Sequence, residues 1–199
     1  MRNPGPGDAL LVVDVQVDFM PGGALGVGRG DEIVAPINRL VDRWCAAGLP
    51  VFLTRDWHPP NHCSFVDRGG PWPVHCVAGS EGARFSPALR IPGDARVVSK
   101  ATRPDEEAYS AFHGTELADR LRQARVKRVF LAGLATDYCV RASTNDARAT
   151  GFEVVVLTDV VRAVDVQPGD GQRALDEMAA AGATLTTSDR VLATMDPAR

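Results

Sequence analysis

A thiol, an amine and a carboxylate stand where their types could do chemistry together. Cys139 follows GLATDY, Lys100 follows VVS and Asp14 follows LLVV. A cysteine becomes a nucleophile when its thiol loses the proton. A carboxylate that takes this proton and later returns it to a departing amine meets the needs of amide hydrolysis, because attack on the carbonyl is useless unless the amine leaves protonated. A lysine beside both would stabilise both anions. Each residue also has a plainer role. Free cysteine often packs as a small buried hydrophobe. A lysine ending a strand is usually a surface charge on a buried stem, and Asp14 could simply cap or turn the next segment.

A second group is Asp56-Trp-His58, with His62 and His75 downstream. In extended chain, positions i and i+2 point to one side, so Asp56 and His58 can face one ion. His75 could complete a two-histidine, one-carboxylate set with positions left open for water or substrate. His62 is either a further ligand or a group that holds a ligand in place, and it stays outside the metal set. The neighbouring Cys63 and Cys76 allow another arrangement, a structural Cys/His zinc site, which usually shows tighter cysteine spacing. No role is evident for His113.

These residues need elements to position them, and the hydrophobic pattern supplies a set. Ala9–Val13 reads as a first strand. Ile33, Val34, Ile37, Leu40, Val41, Trp44 and Cys45 then trace one stripe of a helix over 31–47, and Gly48 is a natural stop. Further strands are expected at 51–54, 97–99, 129–132, 153–157 and 183–186, with helices near 115–124, 139–150 and 170–181. Alternating strands and helices, with strands apolar on both faces, define an α/β fold: a three-layer α-β-α sandwich around a six-stranded, mainly parallel sheet. Ligands of such sheets bind beyond the carboxyl ends of the strands. Asp14, Asp56, Lys100 and the turn leading to Cys139 all fall there. At the start of a helix, Cys139 would have its thiolate favoured by the helix dipole and free N–H groups, which could also hold an oxyanion.

Residues 1–199 are expected to form a single domain. The exception to its rhythm is the Pro- and Gly-rich excursion at about 55–92, which carries three of the four histidines. A loop this long inside a compact domain is usually functional or disordered. Apolar residues make up 45% and charged residues 24% of the chain, with a net charge of −3. Lys and Arg are scattered without a basic stripe, so no nucleic-acid partner is expected. No run is long enough to span a membrane and no signal peptide is evident. Four cysteines without dense spacing fit reduced thiols and a cytoplasmic location. Homo-oligomerisation is left open.

Together the motifs resemble the nicotinamidase/pyrazinamidase branch of the isochorismatase-like cysteine hydrolases. VVDVQVDFMPGGALGV (12–27) is similar to that family's opening strand and loop, TRDWHPPNHCSF (54–65) to its metal segment and PWPVHCVAGS (71–80) to the stretch with the later histidine. SKATRPDEEAYSAF (99–112) is similar to its lysine segment and GLATDYCVRAS (133–143) to its nucleophile turn. The match covers most of the chain, in order. The resemblance implies an isochorismatase-like fold and a catalytic triad of Asp14, Lys100 and Cys139. It implies an oxyanion hole from the backbone N–H groups of Ala135 and Cys139, after a cis peptide between Leu134 and Ala135. Phe19, Trp72 and Tyr109 would line a ring pocket, although each could equally be core packing. Asp56, His58 and His75 would bind a divalent metal ion, zinc first, with iron or manganese as the other choices. The small-molecule substrate would be an amide, nicotinamide and with it pyrazinamide, placing the protein in NAD salvage. Another amidase of the same superfamily, acting on N-carbamoyl or ureido compounds, would keep the triad but lose the metal and the ring pocket. A metal-independent isochorismatase would lack the cysteine. A non-enzymatic reading is a zinc-stabilised interaction domain built on His58, His62, Cys63, His75 and Cys76.

Two departures from the family pattern stand out. Ala101 follows the lysine where glycine is frequent, which tightens the local backbone. Glu106-Glu-Ala108 precedes Tyr109 where Asp-Ser is frequent; neither change touches the triad, and either could shift substrate choice.

Overall fold

Six strands form the centre of the computed structural model, which describes residues 2–195. They are β1 (Asp8–Val13), β2 (Val51–Asp56), β3 (Arg96–Lys100), β4 (Arg128–Leu134), β5 (Glu153–Arg162) and β6 (Thr184–Thr186). Their order is β3-β2-β1-β4-β5-β6, and every pairing is parallel, so the sheet is wholly and not just mainly parallel. Helices α1 (Val34–Ala46), α2 (Leu117–Gln123), α3 (Arg141–Ala149), α4 (Asp170–Ala180) and α5 (Ser188–Met195) cover it. The strand periodicity of two sorts side chains between two cores. Leu10, Val12, Phe130, Ala132 and Val155 face one side, where Ile37, Leu40 and Trp44 of α1 and Val191 of α5 pack. Ala9, Leu11, Val129, Leu131 and Val154 face the other, with Leu121 of α2, Ala147 of α3 and Met178 of α4. This is the expected α-β-α sandwich.

β1 and β4 are neighbours at the sheet's centre, paired from Asp8↔Arg128 to Val13↔Gly133. The chain leaves β1 toward β2 and β3 on one side, and β4 toward β5 and β6 on the other. Neighbouring parallel strands whose connections diverge leave a crevice at their carboxyl ends, where ligands of such folds bind. Asp14 and the turn carrying Cys139 stand at that crevice. The close approach of β4 to β1 depends on Gly133, which has φ +117°; a Cβ there would lie 2.0 Å from the Val13 carbonyl oxygen. Only glycine fits such a contact at such a φ.

The excursion after β2 contains none of the six strands. It holds one short 3₁₀ turn, Val66–Arg68, and isolated bridges pairing His58 with Val77 and Phe65 with Trp72. Two backbone features lie at strand ends beside the crevice. Asp14 and Ala101 adopt left-handed φ values of 48° and 50°, uncommon for non-glycine residues. At Ala101 the backbone is one that glycine adopts without strain.

Candidate active site

Lys100 is the hub of the site. It is the last residue of β3, only 1% exposed, and its ammonium bonds Cys139 Sγ at 3.4 Å and the Ala108 carbonyl at 3.3 Å. It pairs with Asp14 Oδ2 at 3.0 Å and makes a short contact with Asp56. A lysine this buried needs such partners. Burial alone would lower its pKa, but Asp14 and Asp56 reverse the direction and hold it well above the ordinary lysine range. It is a fixed positive charge.

Asp14 is fully buried. Its Oδ1 accepts the Thr54 hydroxyl at 2.7 Å. Its Oδ2 lies beside Lys100 but off the axis of a good hydrogen bond, and so keeps acceptor capacity. Oxygens of Asp14 and Asp56 and the Cys139 sulfur all lie within 4.8 Å of one another. Burial raises the Asp14 carboxyl to about 6, with Asp56 adding and Lys100 and Thr54 opposing. That value suits a group that must take a proton and give it back near neutrality.

Cys139 does not sit in the first turn of an α-helix. It lies in a π-helical turn, Thr136–Val140, that feeds α3, and turns of this kind recur at functional sites. The turn starts at the cis peptide Leu134–Ala135. Asp137, buried in the same turn, accepts the backbone N–H groups of Val164 and Asp165 at 3.0 and 2.9 Å, tying the turn to the loop after β5. The surroundings oppose the effect expected from a helix start. Burial, with Asp14 and Asp56 close by, pushes the Cys139 thiol well above its usual range despite Lys100. Loss of hydration outweighs one neighbouring cation, which favours the protonated thiol.

Asp56, His58 and His75 converge, each with a ligand atom within 4.8 Å of the others and all three buried. The tautomers fit a metal. His58 Nδ1 meets the Ala101 carbonyl at 3.2 Å and His75 Nδ1 meets that of Pro73 at 2.8 Å. Each Nδ1–H is thus a donor, and each Nε2 keeps its lone pair for an ion. His58 Nε2 is buried without a hydrogen-bond partner, an orphan that a cation would satisfy. Burial lowers the His58 pKa to about 4, outweighing Asp56, so the ring is neutral, as ligation requires. For Asp56 the burial cost is outweighed by Lys100 and His58, and its carboxyl falls below the ordinary range. One carboxylate and two imidazoles suit a divalent metal ion.

His62 has both nitrogens engaged, by Ser64 Oγ at 2.7 Å and the Glu106 carbonyl at 3.2 Å. Its ring stacks on His58 at 4.2 Å, so it supports the donor set from behind. His113, which lacked a role in the sequence, pairs with Glu106 at 2.7 Å. Cys63 and Cys76 are free thiols, and Cys76 Sγ faces the Gly82 carbonyl at 3.9 Å; neither belongs to the donor cluster.

A cavity opens beside these groups. Cys139, Ala135, Asp56, His58 and His75 are on its wall, and so are the three expected aromatics, Phe19, Trp72 and Tyr109. Trp72 Nε1 donates to the Tyr109 hydroxyl at 2.9 Å, which fixes the two rings. Tyr138 also lines the cavity, with its ring 5.0 Å from Trp72 and 5.4 Å from Tyr109. Sequence reasoning missed it, although its place beside Cys139 was a usable signal. Leu25, Val27 and Val164 complete the apolar wall and carried no such signal.

A cysteine, lysine and aspartate joined at the switch point of a parallel sheet, beside a two-histidine, one-carboxylate cluster, define a cysteine hydrolase site of one kind, and the chain belongs to the isochorismatase family. Residues 8–190 match the Isochorismatase domain. The chain is 43% identical to the nicotinamidase of Escherichia coli, over 92% of this chain and 95% of that protein. The solved pyrazinamidase of Pyrococcus horikoshii in complex with zinc is 50% identical, with a TM-score of 0.88 over 92% of this chain and 99% of that one. PnC1 from L. infantum in complex with nicotinate is 37% identical, with a TM-score of 0.88 over 95% and 96%.

Proposed function

We propose that the chain hydrolyses nicotinamide, and pyrazinamide with it, to the carboxylate and ammonia. The observation that carries this reading is the contact of Lys100 with both Asp14 and Cys139, with Cys139 itself on the wall of a cavity that also has aromatic faces. The E. coli nicotinamidase and the nicotinate-bound L. infantum protein support it.

In this mechanism the pyridine ring enters between Phe19, Trp72 and Tyr109, with the carboxamide toward Cys139. Asp14 takes the thiol proton, and Lys100 stabilises the thiolate as it forms. The sulfur adds to the carboxamide carbon, and the backbone N–H groups of Ala135 and Cys139 hold the oxyanion. Asp14 then protonates the nitrogen, the C–N bond breaks and ammonia leaves. Water adds to the thioester with Asp14 as base, the C–S bond breaks, and nicotinate and the thiol are released. Asp56, His58 and His75 would hold a divalent ion, zinc first, whose chemistry when bound is a Lewis-acid contact that positions the ring.

Ammonia release measured over nicotinamide, pyrazinamide and N-carbamoyl compounds tests the reading. Turnover of the two aromatic amides with a large preference over the carbamoyl compounds is expected. The opposite preference would replace it with an N-carbamoyl amidase.

A further inference from the structure

Glu107 is on the cavity wall with Cys139 and Tyr109, and nothing in the mechanism uses it. Its Oε1 accepts the Ala108 backbone N–H at 2.9 Å, which pins the carboxylate. No cation pairs with it among the described residues. Asp56, the other acid on the wall, shares the Lys100 ammonium with Asp14. Glu107 is also among the charges that raise the Tyr109 hydroxyl to about 12, after burial itself, so its field reaches the ring pocket. Glu107 and Cys139 line the same cavity, so an acyl group on Cys139 shares that space with the charge.

The reaction changes charge where this matters. The amide is neutral and the product is a carboxylate. A fixed, unpaired negative charge leaves the neutral substrate nearly untouched and repels the anion formed from it. Discrimination by a placed like charge is a general device of specificity. We infer that Glu107 is a specificity-determining residue that sets this cavity against carboxylates, excluding anionic amides and expelling the acid product. The inference rests on the amidase reading above.

The test is Glu107→Gln, which keeps the acceptor for Ala108 N–H and removes only the charge, beside Glu107→Asp, which keeps the charge. Inhibition constants for nicotinate and KM for nicotinamide are measured at low and high salt. Calorimetry adds the binding of both ligands, which needs no turnover. For Glu107→Gln, nicotinate binding should tighten about five- to tenfold at low salt, and the gain should shrink at high salt. Nicotinamide should move by less than about twofold, and Glu107→Asp should stay near the parent protein. Nicotinate unchanged, or nicotinate and nicotinamide shifting by one common factor, would overturn the inference. Failure of the parent protein to release ammonia from nicotinamide would instead remove the amidase reading, and the calorimetric comparison would still decide the charge effect.

Discussion

Lys100 Nζ lies 3.4 Å from Cys139 Sγ, yet the cysteine it touches rests as a neutral thiol. The ammonium is already shared with Asp14 and Asp56, and two buried carboxylates against one cation leave the neighbourhood short of positive charge. Burial and that shortage together hold the thiol high. This is the setting in which the proposed mechanism has Asp14 take the thiol proton. Removing the sulfur by Cys139→Ala should abolish ammonia release while leaving the circular dichroism spectrum and urea midpoint close to those of the parent. Persisting ammonia release would end the nucleophile assignment.

The acid side of the pH profile should belong to Asp14. Its carboxyl is raised to about 6, and it acts as a base only when ionised, so kcat/KM should fall about tenfold per unit as pH drops below that value. Thr54→Val removes the hydroxyl bond to Asp14 Oδ1, one of the influences holding this pKa down. A hydrogen bond to a charged group contributes about 1.5–3 kcal/mol, so the limb should move up by about one unit. The rate of inactivation by iodoacetamide, followed as loss of turnover, should track the same limb. A limb that stays in place in Thr54→Val would take the assignment away from Asp14.

Lys100→Met should destabilise the fold as well as stop catalysis. It leaves Asp14 and Asp56 buried without their cation, and breaking a buried pair this way costs about 3–5 kcal/mol. The pH dependence has a definite sign. The lysine pKa is higher folded than unfolded, so its contribution is complete below the unfolded value and fades only as pH rises past it. In the variant both carboxylates can escape ionisation by taking protons, so its deficit should be smaller at pH 5 than at pH 8. Urea titrations of both proteins at the two pH values check this, and an equal deficit at both would show that buried charge is not the cause.

Much of this was legible in the sequence because it rests on local pattern. The α1 stripe, the apolar strands and the strand-end positions of Asp14, Asp56 and Lys100 follow from periodicity and from the rule that ligands bind at the carboxyl ends of parallel strands. What escaped depends on contacts between distant segments. Tyr138 gains meaning only when Trp72 and Tyr109 arrive from other loops. His62 could not be separated from the ligands until Ser64 and the Glu106 carbonyl were seen to occupy both its nitrogens. The upward push on the Cys139 thiol is not visible in its helix position, because desolvation is a property of the assembled core.

Chelation should lower turnover of nicotinamide, and zinc should restore it. The donor set gives a second, independent readout in metal content. Losing even a group that only orients a ligand costs about 10–100-fold in metal affinity, so loss of His75 itself in His75→Ala should cost more, measured by dye competition. Full activity in the metal-free protein would remove the ion from the reaction, while unchanged affinity in His75→Ala would place the ion elsewhere.

Gly133→Ala should damage the fold at the point where the site is assembled. The glycine has φ +117°, and its absent side chain leaves room for the Val13 carbonyl, 2.0 Å from where a Cβ would stand. Val13 precedes Asp14, and Gly133 lies just before the Leu134–Ala135 peptide that opens the Cys139 turn. A methyl group there must push β4 from β1 in the centre of the sheet, where neither strand can yield cheaply. Its φ is also one that L side chains avoid. A loss of more than about 3 kcal/mol is expected, with activity falling further than stability because Asp14 and the turn bearing Cys139 follow directly on the two strands being forced apart. Urea denaturation and kcat/KM measured on the fraction that remains folded check the two effects separately. Near-parent values of both would show that β1 and β4 can separate without cost, and that the site does not depend on their contact at Gly133.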